Sequence, residues 1–162
     1  LDFKISPKFS FKKNINKVFI GVTFDIFHRV HEALLRRAFS LGETTIGLTS
    51  NKMAEIMKRR KVRDFQLRKK DLEKFIKREL RGKYKIIRIK DKFGPTLKED
   101  FDYIVVSPAT YKTALLINKK RQKIKKKPIK IVKIKFVLGE DGKPISATRI
   151  LRGIINGQGK LI

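Results

Sequence analysis

The chain has 162 residues, enough for one domain with a real core. Its 42 Lys+Arg against 15 Asp+Glu give a net charge of +27, while a hydrophobic fraction of 41% is ordinary for a globular protein. Zero cysteines exclude disulfides and thiolate metal sites, no apolar run is long enough to cross a bilayer, and no signal-peptide pattern is present, so a cytoplasmic protein is expected.

Residues 1–13 are polar, basic and aperiodic, with Phe3, Phe9 and Phe11 as possible anchors, and read as an N-terminal extension to a single domain over 14–162. Lys17–Gly21 is short and apolar, as a buried strand is. Residues 21–31 follow as G-V-T-F-D-I-F-H-R-V-H, placing Thr23, His28 and His31 at a strand-to-helix turn. Such a turn offers free backbone N–H groups and the positive end of a helix dipole, and so suits phosphate. From His31 to Leu41 the apolar residues Ala33, Leu34, Leu35, Ala38 and Leu41 keep a helical period, and Gly42 stands where a C-terminal cap belongs.

Thr45–Thr49 predicts a second strand and Lys52–Lys58 a short helix. Phe65–Leu80 predicts a long amphipathic helix with Phe65, Leu72, Phe75, Ile76 and Leu80 as its stripe, and Lys69, Glu73 and Lys77 at ion-pair spacing. Tyr84–Ile89 and Tyr103–Ser107 read as strands, with a helix from about Thr110 to Arg121. Pro128 breaks the pattern, and Ile129–Leu138 then alternates Ile/Val with Lys as a strand with one wet face does. Ser146 is an N-cap for a last helix over Thr148–Ile155. Alternating strands and helices predict an α/β, Rossmann-like fold: about five parallel strands with helices on both faces and right-handed crossovers. Ligands of such sheets bind at the carboxyl ends of the strands, at the switch point.

The turn resembles the T-F-D-x-x-H-x-G-H signature of nucleotidyltransferases that carry a (T/H)-x-G-H motif. "TTIGLTS" (44–50), "KVRDFQLRKKDLEKFI" (61–76), "DKFGPT" (91–96), "FDYIVVSPATYKTALLINKKR" (101–121) and "EDGKPISATRI" (140–150) resemble, in the same order, the archaeal type of phosphopantetheine adenylyltransferase. The likeness covers about residues 17–152. The departures are Val22 for a second glycine, Val30 for the glycine between the histidines, Asp64 for a proline, Thr113 for a glycine, Ala147 for a serine and Leu151 for a basic residue. Val30 puts a branched side chain where the resemblance implies that adenine lies close to the backbone. With Ala147 it predicts a nucleotide held weakly, displaced or not held, and so reduced activity.

The resemblance implies transfer of AMP from ATP to 4′-phosphopantetheine, giving dephospho-coenzyme A and pyrophosphate, with Mg²⁺ carried in by ATP. Thr23 would donate to the attacking phosphate, and His31 to the α-phosphate as charge builds. Of the basic run Lys58–Lys61, Lys61 is the candidate that neutralises phosphate charge. The ATP-binding candidates are His28, Val30, Ser107, Ser146, Thr148 and Arg149, and Arg68 is a candidate for the acceptor's phosphate. Gly94-Pro95-Thr96 and Ser107-Pro108 would line the nucleotide pocket as backbone. Asp25 reads as structural, because a carboxylate among phosphates repels them.

Other readings of the same residues remain. The fold could serve another acceptor, as an FMN adenylyltransferase or a cytidylyltransferase. A non-catalytic relative could bind nucleic acid through its cations. That reading is not favoured, since the densest run, Lys119–Lys127, lacks interleaved aromatics and suits a solvated face. A zinc site from H-x-x-H and Asp25 lacks a fourth ligand and the usual spacing, so no metal site is expected. The sequence sets no oligomeric state.

Overall fold

The computed structural model describes residues 15–162, and the expected extension over residues 1–13 lies outside them. Its strands are β1 (Lys17–Val22), β2 (Glu43–Thr49), β3 (Tyr84–Ile89), β4 (Tyr103–Val106) and β5 (Lys130–Lys133). They form one parallel sheet in the order β3-β2-β1-β4-β5. The chain leaves β1 for β2 and β3, then returns to the other side of β1 for β4. That reversal opens a crevice at the carboxyl ends of β1 and β4.

The helices are α1 (Arg29–Leu41), α2 (Asn51–Lys58), α3 (Phe65–Glu79), α4 (Tyr111–Lys123) and α5 (Ala147–Leu151). Strand β1 alternates its side chains between two cores, as the pleat requires. Val18, Ile20 and Val22 join Leu34, Leu35 and Ala38 of α1 and Leu72, Phe75 and Ile76 of α3. Phe19 joins Ile104, Val106 and Ala114 and Ile117 of α4. Helices therefore cover both faces, as expected.

Three local expectations are corrected. Helix α1 starts at Arg29, two residues early, because His28 serves as its N-cap. Gly42 caps its C-terminus, as expected, in an extended conformation. Glycine is needed there for space: a Cβ would lie 2.2 Å from the Asn16 carbonyl oxygen. Strand β5 stops at Lys133, because β4 offers only Tyr103–Val106 as a partner. The Ile/Val–Lys alternation continues beyond it without a ladder, and only Leu138 makes a bridge, to Pro144. The last helix spans five residues and ends where Gly153 turns at φ 72°.

Two arginines are built into the interior. Arg121 lies within the lysine-rich run but is buried, and it donates to the carbonyls of Thr96, Glu99 and Lys127 and to the carboxylate of Asp100. That run is therefore not wholly a solvated face. Arg68 is the second, beneath the first turn. Among the described residues the ion pairs of α3 are Arg63–Asp71, Arg78–Glu79 and Arg36–Glu79, not the Lys69/Glu73/Lys77 set. Asp64, the departure from proline, caps α3 by accepting from the Gln66 amide.

Candidate active site

A cavity of about 300 Å³ opens at the crevice. Thr23, His28, Val30 and His31 reach it from the end of β1 and the start of α1, Ser107 from the end of β4, and Ser146 from the cap of α5. Its charged lining residues are Lys58 and Lys92; among the described residues no carboxylate lines it. The remaining wall is largely aliphatic, with Met53, Met57 and Ile89 on one side. A cavity of this kind suits a polyanion with apolar parts.

Of the free backbone amides expected at the first turn, three at the helix start are taken up by the protein. The Arg29 amide donates to the Gly157 carbonyl at 3.3 Å, and the Val30 amide to His28 Nδ1 at 3.3 Å. The His28 amide donates to His31 Nδ1 at 3.2 Å. The two rings thus form a capping box made of histidines. They stack with centroids 4.0 Å apart and planes 21° from parallel.

This use of Nδ1 sets the chemistry. An imidazole whose Nδ1 accepts a hydrogen bond carries its proton on Nε2 when neutral. Burial, and then the nearby Lys58, push His28 down to about 4. Burial, His28 and Lys58 push His31 in the same direction, well below the ordinary histidine value. Both rings are therefore neutral at pH 7, each with one Nε2–H to donate. The helix end's donor capacity passes through two rings whose exposed parts line the cavity.

Asp25 holds the turn in shape. Burial pushes its carboxyl upward, but hydrogen bonds from Arg60 and the Arg63 amide, with both cations, hold it below the usual range. Arg60 reaches Oδ2 at 2.6 Å and the Arg63 amide reaches Oδ1 at 2.9 Å. The Arg63 side chain also donates to the carbonyls of Asp25 and Phe24. This network supports Phe24 at φ 54°, a left-handed conformation that is strained for a bulky residue. Its ring packs against Phe27 and His31.

Several expected residues stand elsewhere. Lys61 is exposed and outside the cavity lining; Lys58, one turn earlier on α2, faces the site instead. Burial and Arg60 lower the Lys58 pKa, against the pull of Asp25. Arg68 is fully buried and absent from the cavity lining, its guanidinium engaged by the carbonyls of Arg63 and Thr23 and the side chains of Asn51 and Thr49. Thr148 is exposed on the outer side of α5. Arg149 turns its guanidinium onto the carbonyls of Lys143 and Pro144 and the carboxylate of Asp141. Gly94-Pro95-Thr96 forms a turn packed behind Ile89 and Phe19, outside the lining, and Ala109 takes the place expected for Pro108.

Of the departures, Val22 packs in the core and also lines the cavity, as does Gly21 beside it, where a Cβ would make only ordinary contacts, 3.9 Å from Ile89 and Phe19. Val30, Thr113 and Ala147 all line the cavity. Sequence reasoning missed Thr49, which ends β2 beside Thr23; a threonine closing a strand next to the switch point was the available signal.

A family model described as cytidylyltransferase-like matches residues 19–153. The chain belongs to that family. Within it, the phosphopantetheine adenylyltransferase of Methanosarcina mazei is 43% identical over 150 residues, covering 90% of this chain and 96% of the relative. That of Archaeoglobus fulgidus is 43% identical over 148 residues, covering 90% and 99%. A solved structure of an Archaeoglobus fulgidus protein of unknown function superposes with a TM-score of 0.69 at 40% identity, over 73% of this chain and 88% of that one.

Proposed function

We infer that this protein is a pantetheine-phosphate adenylyltransferase of coenzyme A biosynthesis. One observation carries the reading: Thr23, two neutral imidazoles, Ser107, Ser146 and Lys58 converge on one cavity that no described carboxylate lines. The names of relatives about 40% identical along nearly the whole chain support the same substrates.

The phosphate oxygen of 4′-phosphopantetheine attacks the α-phosphorus of ATP. The bond to the bridging oxygen of the β-phosphate breaks, and pyrophosphate leaves with its electron pair. The nucleophile belongs to the acceptor, so the protein's work is positioning and charge stabilisation. Thr23 donates to the attacking phosphate. His31 donates from Nε2 to the α-phosphate, where charge grows, and His28 to the adjoining phosphates. Ser146 caps α5 and faces the same phosphates, and Lys58 supplies the positive charge first sought at Lys61. Arg149 acts one step back, as the brace of the loop before α5. The aliphatic wall suits the base and the acceptor's arm.

Mg²⁺ enters as part of the substrate, held by phosphate oxygens and water. Asp25, the acid nearest the turn, is already engaged by Arg60 and Arg63. Among the described residues no helix is long and apolar enough to cross a membrane. Small phosphorylated substrates and a cysteine-free sequence support a cytoplasmic location.

The test is pyrophosphate release from ATP–Mg²⁺ with 4′-phosphopantetheine, beside CTP and a panel including FMN. Release that requires ATP and 4′-phosphopantetheine is expected. Exclusive use of CTP, or turnover with another acceptor alone, overturns the assignment.

A further inference from the structure

A hydroxyl has one proton to give. Whether Thr23 gives it to the protein or to a ligand depends on what lies behind it. Thr23 and Thr49 are 8% and 3% exposed, and Thr49 donates to Thr23 Oγ1 at 3.1 Å. Thr49 Oγ1 in turn accepts from a terminal nitrogen of Arg68 at 3.4 Å. A guanidinium donates and never accepts, and the Thr49 proton goes to Thr23, so the chain runs one way from Arg68 to Thr23.

Arg68 is held so that it cannot turn away. The nitrogen facing Thr49 also donates to the Thr23 carbonyl at 2.9 Å. Its other terminal nitrogen donates to Asn51 Oδ1 at 2.9 Å, and Nε to the Arg63 carbonyl at 2.7 Å. The side chain is fully buried, and the Phe65 ring lies 5.8 Å from its guanidinium carbon. Among the described residues Thr23 has no acceptor for its own proton, and it lines the cavity.

We propose that Arg68 and Thr49 are positioning residues, a one-way relay that fixes the Thr23 hydroxyl as an obligate donor toward an anionic phosphate oxygen. This rests on the adenylyl-transfer reading of the site. The relay explains why a cation at position 68 serves a phosphate site without touching phosphate. It also predicts that Thr23 discriminates in favour of ligands offering an acceptor.

The experiment compares wild type, Thr49→Val, Thr49→Ser, Thr23→Val and the Thr23→Val/Thr49→Val double variant by pyrophosphate release. Valine keeps the shape of threonine and deletes the hydroxyl. Thr49→Val should lower kcat about tenfold, the scale of one misdirected hydrogen bond, with calorimetric ATP affinity within about twofold of wild type. Thr49→Ser should restore kcat. On the Thr23→Val background the second substitution should cost nothing further, because the relay acts only through Thr23. Wild-type kcat in Thr49→Val, or a full further tenfold loss in the double variant, overturns the relay.

If Thr49→Val does not fold, Thr49→Ala is read by the same criteria. A wild type that releases no pyrophosphate overturns the adenylyl-transfer reading instead. The relay is then judged on the same variants by calorimetric titration with inorganic phosphate. About tenfold weaker binding in Thr49→Val, absent on the Thr23→Val background, is expected, and unchanged binding overturns it.

Discussion

The two segments that meet phosphate in the proposed site are built in opposite ways. The first turn, residues 21–31, is enclosed. Thr23, Phe24, Asp25 and His28 are buried, the Phe24 conformation is strained, and Arg60, Arg63 and Arg68 all bond to it. The last segment, residues 139–151, is open. Residues 141–144 are exposed, α5 buries none of its five residues, and its main brace is the Arg149 side chain. The C-terminal tail links the two: Gly157 accepts from the Arg29 amide, and Gly159 packs so closely on Gly139 that a Cβ on Gly139 would lie 2.9 Å from the Gly159 carbonyl oxygen. Under the proposed function the contrast separates two tasks. Groups that must meet developing charge are fixed in advance, because reorganisation during reaction costs rate. Groups that hold a flexible polyphosphate tail can adapt on binding.

The sharpest way to break this contrast is at His31. His31→Ala should lower pyrophosphate release by about a hundredfold to a thousandfold, the scale of losing one preorganised donor at a site of growing charge. A loss of less than about tenfold would move the seat of catalysis away from the first turn.

Acid should unfold the enclosed segment first. His28 titrates at about 4 in the folded protein and near 6.5 when unfolded. Between these values the unfolded chain binds the extra proton, so stability rises with pH across that window and is lost as pH falls through it. A shift of this size corresponds to up to about 3 kcal/mol. His31 acts in the same direction, and Asp25, held below its ordinary value, removes further stability at lower pH. Urea midpoints from pH 7 to 4 should fall, and more gently in His28→Asn, which keeps a capping side chain. An unchanged slope in that variant would assign the acid sensitivity elsewhere.

The open segment should forgive more. Arg149→Ala removes the brace on Lys143, Pro144 and Asp141 but no group lining the cavity. Activity should drop less than about tenfold, mostly through weaker ATP binding read by calorimetry. A hundredfold fall in kcat would put the two segments on an equal footing.

The same contrast governs what the sequence disclosed. The sheet was legible because its central strands β1 and β4 are short apolar runs and Val18–Val22 feeds both cores. Thr23, His28 and His31 were legible because rare polar residues gather at one strand end. Their amide partners were not, since a histidine N-cap looks like any other histidine until its ring is placed. Lys61 and Lys58 sit in one basic run, and charge alone does not say which side of α2 faces the cavity. Arg68 read as a ligand because composition cannot show that its guanidinium is already surrounded by carbonyls and hydroxyls. The short α5 was overextended because Ile154 and Ile155 continue an apolar pattern past Gly153, where the backbone turns.

The finest adjustment lies at Val30, where the enclosed turn would meet the nucleotide under the proposed function. Its side chain packs against the α1 core and lines the cavity, while its amide is held by His28. The valine therefore narrows the space beside the rings without disturbing them. Val30→Gly should open that space and tighten ATP binding by about threefold, the scale of relieving a small misfit at one methyl-sized contact. The same change should lower stability by roughly 0.5–1 kcal/mol, because glycine early in a helix costs backbone entropy and this one also loses apolar contact. Calorimetry and urea unfolding on one preparation separate the two effects. Unchanged affinity with the stability loss would mean that the base already sits clear of the isopropyl group, and that this departure from the family pattern costs the site nothing.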